Sequence, residues 1–115
     1  MDDDLSIRDA LTLLIESYGF DAVAFSAAGA FLADSRRDAV DCVVTDVQMP
    51  EMNGLALQAE LARSAPRLPV IFVTALPDPD ARERAMAQGA VAYLGKPVDP
   101  TELAMHIETA VAGVA

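Results

Sequence analysis

Residues 40–46 read Val40-Asp41-Cys42-Val43-Val44-Thr45-Asp46, a nearly continuous apolar run that ends on a carboxylate. A run of this length without alternation suits a strand covered on both faces, as in a parallel sheet. Residues 68–74, Leu68-Pro69-Val70-Ile71-Phe72-Val73-Thr74, repeat the form and end on a hydroxyl. A third short run, Val91-Ala92-Tyr93-Leu94, leads into Gly95-Lys96-Pro97. Between these runs the spacing of apolar residues becomes helical, which predicts helices over 55–63 and 81–88, the second closed by Gly89. Toward the N-terminus, Ile7, Ala10, Leu11, Leu14 and Ile15 recur at helical spacing behind Ser6 as N-cap, with Asp9 three residues on and Gly19 as the stop. Residues 20–25 then predict a short strand, and Ser26 caps a second helix toward Asp34. At the far end Asp99-Pro100-Thr101-Glu102 combines an N-cap, a proline at the first helical position and a glutamate three residues after the cap. It opens a last helix running to Val111. Alternation of strand and helix predicts an α/β domain with a doubly wound parallel sheet, whose sites lie beyond the carboxyl ends of the strands.

With 115 residues and 53% hydrophobic content, the chain holds one domain over 1–115. Eight basic against eighteen acidic residues give a net charge of −10, a field that repels phosphate backbones, so direct nucleic-acid binding is not expected. Cys42 has no second cysteine to pair with, which excludes a disulfide or thiolate metal site within the chain and predicts a buried structural thiol. No apolar stretch reaches membrane-spanning length and the first residues are acidic, so neither a membrane span nor a signal peptide is expected and the cytoplasm is the expected compartment.

Asp46, Thr74 and Lys96 each fall at or just past the end of a predicted strand, so one edge of the sheet gathers them despite their separation in sequence. Asp2 and Asp3 precede the first helix and reach the same edge. Crowded carboxylates repel one another, which suits a hard divalent cation such as Mg²⁺ with oxygen ligands at about 2.0–2.1 Å. Lys96 adds a positive charge beside them. An oxygen nucleophile and cations that neutralise the moving phosphoryl oxygens are what phosphoryl transfer requires.

Four stretches carry a family resemblance: Asp2-Asp3, residues 45–55 (Thr45-Asp46-Val47-Gln48-Met49-Pro50-Glu51-Met52-Asn53-Gly54-Leu55), Val73-Thr74-Ala75, and Tyr93-Leu94-Gly95-Lys96-Pro97. In this order and spacing they resemble the signatures of response-regulator receiver domains of two-component signalling, with a flavour similar to nitrogen-fixation regulators. The resemblance implies a flavodoxin-like sheet of strand order 2-1-3-4-5 and a phosphoacceptor switched by a sensor histidine kinase. It implies Asp46 as phosphoacceptor, with Mg²⁺ held by Asp3 and Asp46 directly, by Asp2 through water and by the Gln48 backbone carbonyl. Thr74 then grips one phosphoryl oxygen and Lys96 another, and the Lys96–Pro97 peptide is cis. Thr74 and Tyr93 form the switch, altering the face of the fourth helix, last strand and last helix, a face that also serves for homodimers. An effector domain or downstream protein receives the signal, and turnover is limited to the domain's own phosphorylation and dephosphorylation.

Plainer readings stand beside these. Asp2-Asp3-Asp4 reads alone as a solvated terminus, Asp46 as a turn residue and Met49-Pro50 as loop punctuation. Tyr93 also fits an ordinary half-buried aromatic, His106 a surface residue, and Leu13 a lone exposed leucine or, by the resemblance, a kinase contact. A degenerate receiver serving only as an interaction module should have lost the aspartate, threonine or lysine, and all three are present. A haloacid-dehalogenase-like phosphatase wants a second aspartate two residues after its nucleophile, where this chain has Gln48. A flavodoxin-like cofactor binder wants a glycine-rich phosphate loop, and none follows a strand. One departure from the family is expected to matter: receivers close a buried first strand on the acidic pair, whereas Asp2 follows only Met1. Roughly five to seven strand residues are then missing, leaving a slot in the core.

Overall fold

Three of the predicted apolar runs form one parallel sheet in the computed structural model, which describes residues 1–2, 4–49 and 52–114. Its strands are β1 (Val43–Thr45), β2 (Val70–Thr74) and β3 (Ala92–Gly95), ordered β1-β2-β3. Thr45 lies beside Phe72, and Phe72 and Thr74 beside Tyr93 and Gly95, so the three strands end together. Helices cover both faces. On one side α1 (Leu5–Ser17) and α5 (Pro100–Val114) bring Leu11, Leu14, Leu103 and Ile107 against Ile71 and Val73. On the other, α2 (Ala28–Ala33), α3 (Gly54–Ser64) and α4 (Pro79–Ala87) bring Phe31, Leu57, Leu61 and Ala85 against Val43, Val70 and Phe72. Every residue of β2 is buried, as its uninterrupted apolar run requires of a strand with helices on both faces.

Helix caps locate the ends. Asn53 accepts from the Ala56 N–H at 2.9 Å, and Asp99 accepts from those of Thr101 and Glu102 at 2.9 and 3.1 Å. The first helix starts one residue before the expected cap: Asp4, not Ser6, accepts from the Ile7 N–H, its carboxylate also suiting the positive helix end. Ser26 does not cap α2, which is a short helix behind Ala27 without a side-chain cap and is followed by a 3₁₀ helix, Ser35–Ala39. His106 is half-buried, with Glu102 3.8 Å away one turn back, so the expected surface histidine has an acidic neighbour. Leu13 is exposed, as expected.

Two expected strand positions are not filled. Residues 20–25 are not a strand, and of the order 2-1-3-4-5 the described residues form the run of three at one end. The reason is local. A strand exists only by pairing, and between residues 20–25 and β1 lies a cavity of about 510 Å³. Met1 and Asp2 close one end of it: the Met1 amine donates to the Val44 carbonyl, the Asp46 N–H donates to the Met1 carbonyl at 3.0 Å, and the Asp2 N–H donates to Phe25 at 3.3 Å. Cys42 lines this cavity and is half-buried rather than fully enclosed; burial, with Asp41 beside it, pushes its thiol up to about 12.

Candidate functional site

The chain leaves β1 at Thr45 and turns sharply, because Gly54 at the start of α3 comes back to donate its N–H to the Val47 carbonyl at 2.7 Å. That return holds Asp46 at the sheet edge with its side chain almost fully buried. One carboxylate oxygen, Oδ1, accepts from the Gln48 N–H at 3.0 Å, and the other, Oδ2, accepts from the Lys96 ammonium at 3.0 Å. Asp2 is 2% exposed, and its Oδ2 accepts from the same ammonium at 2.5 Å while its Oδ1 accepts from the Asp4 N–H at 3.0 Å. Two buried carboxylates far apart in sequence therefore share one cation.

Lys96 reaches them from the end of β3. Its backbone N–H donates to the Thr74 carbonyl at 2.8 Å, and its peptide bond to Pro97 is cis, as expected. Burial works against its charge, but the Asp2 and Asp46 carboxylates outweigh that, and its pKa is held above the ordinary lysine range. Burial pushes the Met1 amine down to about 6 against the opposing pull of Asp2 and Asp46, so at neutral pH it adds little positive charge. Two carboxylates against one ammonium leave the pocket with net negative charge and oxygen donors, which fits a hard cation. Among the described residues no three His, Cys, Asp or Glu side chains cluster as a ready metal cage. Asp3, expected as a direct ligand, lies outside the described residues, as do Pro50 and Glu51 of the second signature.

Thr74 ends β2 with its side chain buried, and its hydroxyl accepts from the Leu76 N–H at 3.3 Å, leaving its own O–H to donate. Tyr93 packs its ring 6.1 Å from that of Phe72, and its hydroxyl accepts from the Asp78 N–H at 3.3 Å, at the cap of α4. The side chains of Asp2, Asp46 and Lys96 are thus in direct contact, while the Thr74 and Tyr93 side chains, on β2 and β3, make no hydrogen bond to them among the described residues. Gln48 is exposed beside Asp46 and contributes its backbone N–H. Three contributors were not singled out from the sequence. Arg8 donates to the Asp2 carbonyl at 3.0 Å, Met1 holds the Asp46 N–H, and Gly54 permits the close return of α3. Gly54 alone left a trace, as a member of the second signature.

The family model of the response regulator receiver domain matches residues 1–108. Nodulation protein W of Bradyrhizobium diazoefficiens is 42% identical over 103 residues, covering 90% of this chain and 45% of that protein. The transcriptional regulatory protein FixJ of the same organism is 35% identical over 111 residues, covering 96% of this chain and 54% of that one. The chain therefore spans about half the length of the curated relatives it matches. A receiver domain protein from Clostridium thermocellum, solved by crystallography, superposes with a TM-score of 0.88 at 30% identity, over 96% of this chain and 90% of that one. Likeness in sequence and in backbone runs through the sheet, its helical layers and the edge that carries Asp46, and the chain belongs to the response regulator receiver domain family.

Proposed function

We propose that Asp46 is the phosphoacceptor of a two-component pair, receiving the phosphoryl group from the phosphohistidine of a sensor kinase. The arrangement that carries this reading is the buried Asp46 carboxylate, clamped between the Gln48 N–H and the Lys96 ammonium at the open end of the sheet. Transfer forms a bond from an Asp46 carboxylate oxygen to phosphorus and breaks the phosphorus–nitrogen bond of the donor. Lys96 neutralises charge on a phosphoryl oxygen, and Thr74 donates its free O–H to another. Receiver domains use Mg²⁺; here Asp2, Asp46, the Gln48 carbonyl and Asp3 would hold it, and when bound it supplies the remaining positive charge the phosphoryl oxygens need. The chain performs only its own phosphorylation and dephosphorylation, as receiver domains are not a classical enzyme family. The retained Lys96–Asp46 contact favours this over a module that never meets phosphate. Incubation with a small phosphodonor and Mg²⁺ should add one phosphoryl group by intact mass, mapped to Asp46. No adduct, or an adduct elsewhere, would overturn the assignment.

Output follows from Thr74 and Tyr93. Drawing the Thr74 hydroxyl toward a phosphoryl group vacates space beside β3, and the Tyr93 hydroxyl gives up the Asp78 N–H to turn inward. The face of α4, β3 and α5 changes with it, offering a surface to an effector domain, a downstream protein or a second copy. Among the described residues no helix is long and apolar enough to cross a membrane. In labelled-tyrosine NMR, beryllofluoride with Mg²⁺ should shift the Tyr93 resonance and leave Tyr18, at the end of α1, nearly in place. Equal indifference of both would remove Tyr93 from the switch.

A further inference from the structure

The turn that carries Asp2 is tied to helix α1 at three points. The Asp2 Oδ1 accepts from the Asp4 N–H at 3.0 Å, and the Asp4 carbonyl accepts from the Arg8 N–H at 2.9 Å. The third tie closes the ring, because Arg8 Nη1 donates to the Asp2 carbonyl at 3.0 Å. A long side chain on a helix leans toward the N-terminus, so an arginine at the start of α1 reaches back over the cap to residue 2. Every polar group of Asp2 is then engaged, the remaining two being its N–H, on the Phe25 carbonyl at 3.3 Å, and its Oδ2, on Lys96. The two carboxylate oxygens are the groups a cation would draw on. The ties that do not compete with a cation are the two on the backbone, and of these the Arg8 bond is the shorter. The preceding peptide has a second duty, since its Met1 carbonyl accepts from the Asp46 N–H at 3.0 Å. Holding the Asp2 backbone therefore also holds the brace on Asp46.

We infer that Arg8 is a positioning residue of the cation site: its guanidinium fixes the backbone of Asp2, and through it the aim of the Asp2 carboxylate and the brace on Asp46. The inference rests on the Mg²⁺ reading of the site given above. Charge and position pull in opposite directions here. By charge alone, a guanidinium beside an acidic pocket opposes the arrival of a divalent cation. By position, it favours the cation, because Asp2 is already ordered and the cost of ordering it is not charged to binding. Removing the side chain separates the two effects by sign.

Calorimetric titration with Mg²⁺, comparing Arg8→Met and Arg8→Lys with the parent chain, is the test. Arg8→Met should bind Mg²⁺ about tenfold more weakly, as expected when a group that orients a metal ligand is lost. Arg8→Lys keeps a charged donor on a flexible stem and should recover most of that loss. Should Arg8→Met fail to melt cooperatively, Arg8→Gln takes its place with the same expectation. A second readout needs no metal. Hydrogen exchange at the Asp46 amide should quicken about tenfold in Arg8→Met, while exchange at Phe72, in the middle of β2, stays at the parent rate. Mg²⁺ held as tightly as by the parent, or more tightly, would overturn the inference. So would an unchanged Asp46 amide, or one that quickens only in step with Phe72. A parent chain that takes up no Mg²⁺ would instead overturn the cation reading, and the Asp46 amide would then decide alone whether Arg8 holds the turn.

Discussion

Asp46→Asn is expected to abolish phosphoryl uptake while leaving the fold standing. An asparagine keeps the shape of the side chain and keeps an oxygen to accept the Gln48 N–H. It loses the anionic oxygen that attacks phosphorus, and its amide N–H groups meet the Lys96 ammonium donor to donor. Lys96 then rests on Asp2 alone, 2.5 Å away. Two effects on stability oppose each other: one charge-assisted bond is lost, and so is the repulsion between two buried carboxylates. The balance should stay within about 1–2 kcal/mol, well short of unfolding a domain. Intact mass after phosphodonor treatment, read beside a thermal melt, separates the two outcomes. Undiminished uptake by the folded variant would show that the phosphoryl group resides elsewhere.

A larger structural effect is expected from Gly54→Val. A Cβ at residue 54 would fall 2.8 Å from Phe72 Cε1, 3.0 Å from Val47 Cα, and well inside contact distance of the Asp46 carbonyl oxygen. None of these can step aside cheaply: Phe72 is fully buried, and the others are backbone. Overpacking costs about 1–3 kcal/mol even where side chains absorb it, and here the backbone at the phosphoacceptor must move. The melting midpoint should fall by at least about 10 °C, or cooperative unfolding should disappear. Gly29→Ala is the matched control, because a Cβ at residue 29, inside α2, meets nothing within 4 Å. It should melt at or above the parent, since alanine favours the helix. Equal midpoints for the two variants would show that the close approach of α3 is not needed.

What the sequence made legible is what repeats in one dimension. The runs ending at Thr45 and Thr74 announced buried parallel strands, and Asp99 with Glu102 announced a helix start, because covering both faces of a strand and capping a helix each impose a local pattern. The site was legible for the same reason: Asp46 and Lys96 sit at strand ends, and a parallel sheet brings strand ends together. Residues 20–25 were misread because apolar character is local while pairing is not, and no strand among the described residues lies beside them. Asp4 displaced Ser6 as the cap because both fit the local rule and the turn of the chain after Asp2 decided between them. The contacts of Met1 and Arg8 with the acidic pocket were hidden because each depends on how the chain enters the fold, a purely three-dimensional fact.

The amide of Gln58 has a mechanical meaning. Buried between α3 and α4, it donates from Nε2 to the Ala85 carbonyl at 2.9 Å, while its Oε1 has no donor among the described residues. A neutral bond of that kind is worth about 1 kcal/mol, and an acceptor buried without a partner gives back a comparable amount. Ala85 is the only fully buried residue of α4, with Ala81 packed at partial burial against the same core. Within the domain β2 is buried along its whole length, whereas α4 is held by the fully buried Ala85 and the amide bond from Gln58.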